Sequence, residues 1–228
     1  MAMARPRKAV PPKISILMNP VLCCCEGAAG NSALGRRGVS RRILSASDRV
    51  DGHPSDTGPM NEAMIRVATV EDAGSIGRFQ TRCWDETYRG VVPDEFLDSV
   101  DAETRERRWR DRIASGERAV YLAHRGNELI GVASTEVTRP SRPDLPAIEL
   151  ASLYVDRSAH GQGVAQQLLA AAIGTAPAHL LVFDSNARAQ SFYLKHGFRP
   201  TDERQIDGGT GVAETRWVRP GRSPNADG

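Results

Sequence analysis

From Met64 onward, the spacing of apolar residues predicts an alternation of strands and helices. Short apolar runs predict strands at 65–68, 119–123, 129–134, 148–155 and 180–183. Apolar positions at helical spacing predict helices at about 71–86, 102–113, 163–173 and 186–196, with a short one after Pro93. The chain beyond them predicts a closing β-hairpin. Strands first and last with helices between them indicate an α/β fold with a mixed sheet.

Local signals add detail to this pattern. Gly126-Asn127 separates two apolar runs and predicts the turn of a hairpin. Alternation slips between Leu150 and Leu153, which indicates a bulge in the fourth strand. Asp101 precedes the third helix and suits an N-cap.

Residues 1–60 show no sustained period and are rich in Pro, Gly, Ser and Arg. Such a segment buries too little apolar surface to offset the entropy of ordering it. We predict a disordered extension at 1–60, one domain at 64–220 and a disordered tail at 221–228. A start codon placed too far upstream, a transit peptide and a regulatory tail remain open as explanations of the extension.

Composition narrows the class of protein. No stretch approaches the ~20 apolar residues of a membrane span. Nine basic and four acidic residues lie in 1–60, so the rest of the chain is slightly acidic although the net charge is +2, which disfavours nucleic acid as a partner. We expect a soluble, cytoplasmic monomer or homodimer without a membrane anchor.

The four cysteines form neither a disulfide framework nor a zinc site. Cys23, Cys24 and Cys25 are adjacent and Cys83 stands alone, with no further ligand at a suitable spacing. The sequence therefore predicts a reducing compartment and no bound metal.

A strand, a glycine-containing loop and a helix start follow one another within residues 153–169. Gly161 and Gly163 let a ligand approach the main chain, and the first N–H groups of a helix attract anions. Pyrophosphate is the obvious anion. A dinucleotide-binding loop is disfavoured because Gln166 stands where its third glycine belongs.

A second segment, residues 186–198, carries a related signal. Asn186 suits an N-cap, Ala189 allows close packing and Gly197 suits a helix end. Tyr193 lies about two turns after Asn186, so both side chains can face one ligand.

Together the two segments resemble the GNAT superfamily of N-acetyltransferases. His160-Gly-Gln-Gly-Val-Ala165 is similar to the family's acyl-CoA pyrophosphate loop, although His160 replaces the usual Gln or Arg. Residues 186–198 resemble its Asn-x-x-Ala-x-x-Phe/Leu-Tyr-x-x-x-Gly-Phe segment. The resemblance covers residues 64–218. It implies a mostly antiparallel sheet whose fourth and fifth strands splay apart to admit pantetheine.

The resemblance also implies roles for individual residues. The acetyl donor would be acetyl-CoA and the acceptor a primary amine of a small molecule or a peptide. Tyr193 matches the family's general acid, Glu149 is the candidate base acting through water, and Asp184 is the reserve. The implied cofactor-binding residues are Leu153, Tyr154, Val155, His160, Gly161, Gln162, Gly163, Val164, Ala165, Gln166 and Asn186.

The acceptor is expected at the first helix and the loop after it, through Trp84, Tyr88 and Glu86. Some relatives carry a glutamate on the fifth strand, but Leu181 stands there in this chain. A non-catalytic acyl-CoA-binding or regulatory module of the same fold is the alternative function.

Overall fold

One sheet contains all seven strands of residues 62–138 and 142–221, which are the residues that the computed structural model describes. The strands are β1 (Met64–Val67), β2 (Ala119–Arg125), β3 (Glu128–Val137), β4 (Ile148–Val155), β5 (Ala178–Phe183), β6 (Arg199–Ile206) and β7 (Ala213–Arg219). Their order is β1-β2-β3-β4-β5-β7-β6, and only β4 and β5 run parallel. The predicted mixed, mostly antiparallel sheet is confirmed.

Helices cover both faces of this sheet. The described residues form α1 (Ala73–Tyr88), α2 (Asp94–Ser99), α3 (Ala102–Ala114), α4 (Val164–Ile173) and α5 (Ala187–Lys195). On one face, Trp84 and Trp109 of α1 and α3 pack with Leu122 of β2. On the other face, Leu168 of α4 packs with Leu153 of β4. The two cores hold the sheet between them.

Capping side chains fix two helix starts. The Asp101 side chain accepts a hydrogen bond from the Thr104 N–H at 2.8 Å, and Asn186 Oδ1 accepts one from the Ala189 N–H at 3.0 Å. Each satisfies a donor that helix geometry leaves free. The first helix begins later than predicted, because Val70–Asp72 forms a 3₁₀ turn before α1.

β4 contains the predicted bulge. Ser134 of β3 pairs with Ser152, whereas Thr135 pairs with Leu150, so Ala151 is one extra residue on β4. A bulge bends a strand and increases its twist. The bend lies close to the point at which β4 leaves β5.

β4 and β5 are joined by one residue pair, Glu149 with His179, at the start of both strands. In the described residues, the rest of β4 pairs with β3 and the rest of β5 with β7. The parallel strands therefore splay apart toward their carboxyl ends, as predicted. The main chain of residues 150–155 borders this opening.

The predicted extension at 1–60 lies outside the described residues, as do the tail after Gly221 and residues 139–141 of a proline-containing loop. The bounds of the domain and the tails stay predictions. In the described parts, no helix is long and apolar enough to cross a membrane. The same parts hold no group of three or more His, Cys, Asp or Glu side chains that could bind a metal ion.

Candidate active site

Two glycines with left-handed backbone shape the loop between β4 and α4. Gly161 has φ 74° and Gly163 has φ 80°, which other residues adopt only at a cost. A Cβ on either would meet no atom within 4 Å. Glycine is therefore favoured at both positions by the backbone conformation of the turn, and the space beside the two residues is open.

A cleft of about 400 Å³ lies between this loop and α5. The start of α4 borders it, and there the first N–H groups have no acceptor within the helix. Its lining residues are Val155, Ala159, His160, Gly161, Gly163, Val164, Ala165, Gln166, Arg188, Ser191, Phe192, Lys195 and His196. Helix N–H groups on one side and cationic side chains on the other suit a polyanion such as pyrophosphate.

The α5 side of the cleft does not follow from the sequence motifs. Arg188 and Lys195 bring positive charge to it, and Ser191 lies between them. Their spacing of three and four residues puts the three side chains on one helix face. That periodicity, applied to the polar side of α5, is the signal that would identify them.

Two residues of the predicted loop have their side chains engaged with protein. His160 Nε2 lies 3.1 Å from the Val155 carbonyl oxygen, which can only accept, so this nitrogen donates. Gln162 Nε2 donates to the Ser158 carbonyl at 2.7 Å, and Gln162 Oε1 accepts from Arg125. Gln162 is absent from the cleft lining, and its predicted contact with the cofactor stays a prediction.

The three predicted residues of β4 turn their side chains into the cores. Leu153 and Val155 pack on the α4 side. Tyr154 lies on the α1 side, where its hydroxyl accepts hydrogen bonds from Gln80 Nε2 at 2.8 Å and Trp84 Nε1 at 3.4 Å. Val155 also lines the cleft. The expectation that the main chain of this segment binds the cofactor stays a prediction.

Asn186 connects the two sides of the sheet. Its Oδ1 caps α5, and its Nδ2 donates a hydrogen bond of 3.1 Å to the Tyr88 hydroxyl at the end of α1. The Tyr88 ring also meets the Phe183 ring edge-on, with centroids 5.4 Å apart. The carboxyl end of β5 is therefore where α1 and α5 come together.

Tyr193 lies in the core on the α5 side and is fully buried. Its hydroxyl has no hydrogen-bond partner among the described residues. Burial holds the pKa of this hydroxyl well above its usual range, and the neighbouring Tyr88 adds to the shift. The hydroxyl is therefore protonated at neutral pH and has a proton to donate.

The three predicted acceptor residues of α1 do not lie together. Trp84 and Tyr88 are buried and one turn apart, with ring centroids separated by 5.1 Å. Glu86 is exposed, because a residue two positions away points to another side of a helix. Both rings belong to the core on the α1 side, and Tyr88 also contacts Asn186.

The two candidate bases, Glu149 and Asp184, lie in different surroundings. Ile148 packs on the α4 side, so Glu149, half-buried, points to the α1 face. Burial raises the pKa of Asp184, but hydrogen bonds from Thr215 at 2.7 Å and Arg204 at 2.5 Å outweigh it and lower the pKa below its usual range. Asp184 is thus a weak base.

A splayed parallel strand pair beside a glycine loop and a helix start defines a class, the acyl-CoA-dependent acetyltransferases. The family model described as acetyltransferase (GNAT) domain matches residues 84–214, more than half of the chain. The chain belongs to the GNAT acetyltransferase family. It is an acetyl-CoA-dependent acyltransferase, as predicted, and acetyl-CoA is its co-substrate.

Relatives agree with this assignment. An uncharacterized N-acetyltransferase of Mycobacterium bovis is 30% identical over 115 residues, which cover 48% of this chain and 70% of the relative. YuaI, an uncharacterized N-acetyltransferase of Bacillus subtilis, is 25% identical over 135 residues, covering 59% and 66%.

Solved structures share the fold. PaiA N-acetyltransferase from Thermoplasma acidophilum, in complex with coenzyme A, superposes with a TM-score of 0.51 at 20% identity, covering 68% of this chain and 98% of its own. YncA from Salmonella typhimurium, with acetyl-CoA, gives 0.53 at 20% identity, covering 73% and 99%. The GNAT fold prediction is confirmed.

Proposed function

We propose that this protein transfers the acetyl group of acetyl-CoA to a primary amine of a small molecule or a peptide. The observation that carries the proposal is the opening between β4 and β5 beyond the Glu149–His179 pair. The loop with Gly161 and Gly163 follows β4 directly, and Asn186 follows β5. A cofactor in the opening would therefore reach both predicted motifs.

The residues around the opening fit acetyl-CoA. Pyrophosphate would lie in the cleft, against the main chain of 161–166 and close to Arg188 and Lys195. The pantetheine arm, which carries amides, would pair with the main chain of residues 153–155. The cofactor supplies an activated acetyl thioester when bound. Asn186 is the candidate to hold the arm because it follows β5 directly, and it would do so while its Oδ1 caps α5 and its Nδ2 binds Tyr88.

Tyr193 is the proposed proton donor to the departing sulfur. Its hydroxyl is protonated at neutral pH and has no hydrogen-bond partner among the described residues. A protonated hydroxyl beside the sulfur could pass its proton to the departing thiolate. General acid catalysis of this kind contributes about 10² to 10⁴-fold in rate.

The proposed base is a carboxylate on the α1 face of the sheet. Glu149 is the candidate from the sequence, acting through water on the ammonium form of the acceptor. It is the β4 member of the single β4–β5 pair, at the closed end of the opening. Tyr88 borders the acceptor side from α1.

Two measurements on the full chain test the function. Calorimetry with acetyl-CoA tests cofactor binding, and thiol release with polyamines, aminoglycosides, amino acids and peptides tests transfer. The proposal expects binding together with amine-dependent thiol release. Binding without release from any amine would favour the non-catalytic acyl-CoA-binding module. Absence of binding would contradict both.

A further inference from the structure

A buried carboxylate on β7 belongs to no motif in the sequence. Glu214 is 1% exposed. Its Oε1 accepts a hydrogen bond of 2.7 Å from Gln205 Nε2, but its Oε2 is buried and has no hydrogen-bond partner among the described residues. A buried polar atom without a partner is costly to the fold. Such an atom marks a place where a donor from outside the chain can bind.

Glu214 lies on the acceptor side of the sheet. It pairs with Phe183 across β5 and β7, so the two side chains point to the same face. On that face Phe183 contacts Tyr88, whose hydroxyl accepts the hydrogen bond from Asn186. Glu214 is therefore next to the end of β5, where the cofactor and acceptor sides meet.

Three charged side chains act on Glu214. They are Asp207 of the loop after β6, Arg216 of β7 and Glu149 of β4. Burial raises the pKa of Glu214 to about 7, against the hydrogen bond from Gln205. Asp207 and Glu149 raise this pKa further, and Arg216 lowers it. A carboxyl group with such a pKa exchanges its proton readily at neutral pH, as a general base must.

The loop between β6 and β7, residues 207–212, covers this region. Asp207 Oδ2 accepts hydrogen bonds of 2.7 Å from both the N–H and the hydroxyl of Thr210. Gly209 lies against Phe96 of α2, since a Cβ there would be 3.2 Å from the ring. Gly208 and Gly211 have open space beside them. Because Glu214 is 1% exposed, an acceptor could reach it only if this glycine-containing loop moved away from α2.

We propose that Glu214 binds the ammonium group of the acceptor through Oε2 and takes its proton, which makes the acceptor a small cationic primary amine. This inference rests on the proposed acetyl transfer. One N–H proton moves to Oε2, and the freed electron pair forms the C–N bond as the C–S bond breaks. The sulfur takes the Tyr193 proton, Tyr193 regains one from the new amide nitrogen, and Glu214 returns its proton to solvent. Glu149 then attracts the cation and does not act as the base.

Thermal melts of the full chain between pH 5 and 9 test how the buried Glu214 carboxyl titrates, without any need for catalysis. A group whose pKa is raised by folding stabilises the protein below its unfolded pKa, and this stability is lost as pH rises through 7. Because glutamine cannot ionise, the Tm of Glu214→Gln relative to wild type should rise between pH 5 and about 7 and level off above that. Glu128→Gln, at the exposed start of β3, is the matched control and should follow wild type. A Tm difference for Glu214→Gln that is constant with pH would overturn the proposal.

Thiol release tests the role in transfer, with spermidine, 2-phenylethylamine and a glycine-initiated peptide as amine probes. The pH profile of wild-type kcat/KM should have a rising limb centred at about pH 7. Glu214→Gln should lose this limb and about 10² to 10⁴-fold in kcat/KM, with unchanged acetyl-CoA affinity by calorimetry. Glu214→Asp should restore part of the rate. If Glu149→Gln removes the limb and Glu214→Gln stays within about twofold of wild type, Glu149 is the base and the proposal fails.

The failure of acetyl transfer itself has a separate signature. Wild type that binds acetyl-CoA but releases thiol with none of the probes would contradict the proposed function. The ammonium site is then decided by binding alone, as the Tm increase that spermidine causes at pH 8.5. A larger increase for wild type than for Glu214→Gln supports the site, and equal increases overturn it.

Discussion

Asn186 Nδ2 donates a 3.1 Å hydrogen bond to the Tyr88 hydroxyl, although the two residues are 98 positions apart in the chain. The oxygen of the same amide caps α5. One side chain therefore sets the start of α5 and joins it to the end of α1. Since Tyr193 lies two turns along α5, this amide also helps to fix where the proposed acid stands relative to Tyr88.

Two substitutions at Asn186 separate its two hydrogen bonds. Asn186→Asp keeps an N-cap oxygen, so the Tm should stay close to wild type. It loses the N–H groups that bind Tyr88 and that we propose hold the pantetheine arm, so acetyl-CoA affinity should fall. Asn186→Ala loses both and should also cost about 0.5 to 2 kcal/mol in unfolding free energy. Calorimetry and chemical denaturation on the same preparations measure the two effects. Equal losses of stability in both variants would show that the contact with Tyr88 is mainly structural.

Tyr193→Phe removes a hydroxyl that bonds to no described residue. We expect an equal or higher Tm, because no hydrogen bond is lost and a polar group leaves the core. The kcat should fall by about 10² to 10⁴-fold if proton donation limits turnover. Tyr121→Phe, on β2 away from the opening, is the control. A kcat within about twofold of wild type would remove Tyr193 from the mechanism.

Gly163→Leu should lower acetyl-CoA affinity, since the side chain would enter the open space beside the cleft. It also carries a backbone cost of about 1 to 2 kcal/mol, because φ is 80° at this position. Gly116→Leu matches that cost, with φ 71° and open space, but lies between α3 and β2. Both variants should melt lower, and only Gly163→Leu should bind acetyl-CoA more weakly by calorimetry.

Glu203 should lower the stability of the fold at acid pH, whereas Glu214 should lower it as the pH rises. Hydrogen bonds from Arg142 at 2.7 Å and Arg216 at 3.0 Å, with Arg142 the larger cause, lower the pKa of Glu203 to about 2. This stability is present above the unfolded pKa and is lost as pH falls toward 2. Glu203→Gln should therefore melt below wild type at pH 7, by a margin that shrinks on acidification. The partial exposure of Glu203 keeps the effect small.

Removal of residues 1–59 should leave the Tm and the acetyl-CoA affinity unchanged. The sequence of this segment lacks a periodic apolar face that could pack on the domain. Melting and calorimetry of the shortened chain, compared with the full chain, check this. A lower Tm after truncation would show that the segment contributes to the folded domain.

The order of elements could be predicted from the sequence because each depends on neighbours along the chain. The turn at Gly126, the bulge after Leu150 and the cap at Asp101 all follow from local chemistry and are confirmed. The GNAT motifs extended this to the splayed strands, whose single pair at Glu149 agrees with the expectation.

Side-chain environments depend on distant residues and could not be predicted in the same way. Glu214 occupies a strand with no motif, and its burial results from the packing of β6, β5 and the loop around it. Glu86 has the right charge for an acceptor residue, but helical geometry points it outward. The side chain of Gln162 lies within the loop motif and yet binds Ser158.

The single pair at Glu149 and His179 divides the sheet into two parts, β1 to β4 and β5 to β7. Strand edges at the rim of a sheet invite other chains, but these two edges face each other between helices. A slender, extended molecule that pairs with both would complete the hydrogen-bond ladder. Amide hydrogens of residues 150–155 should then exchange with solvent more slowly once acetyl-CoA is present. The bound cofactor would join the two parts of the sheet, so that they open together and less often.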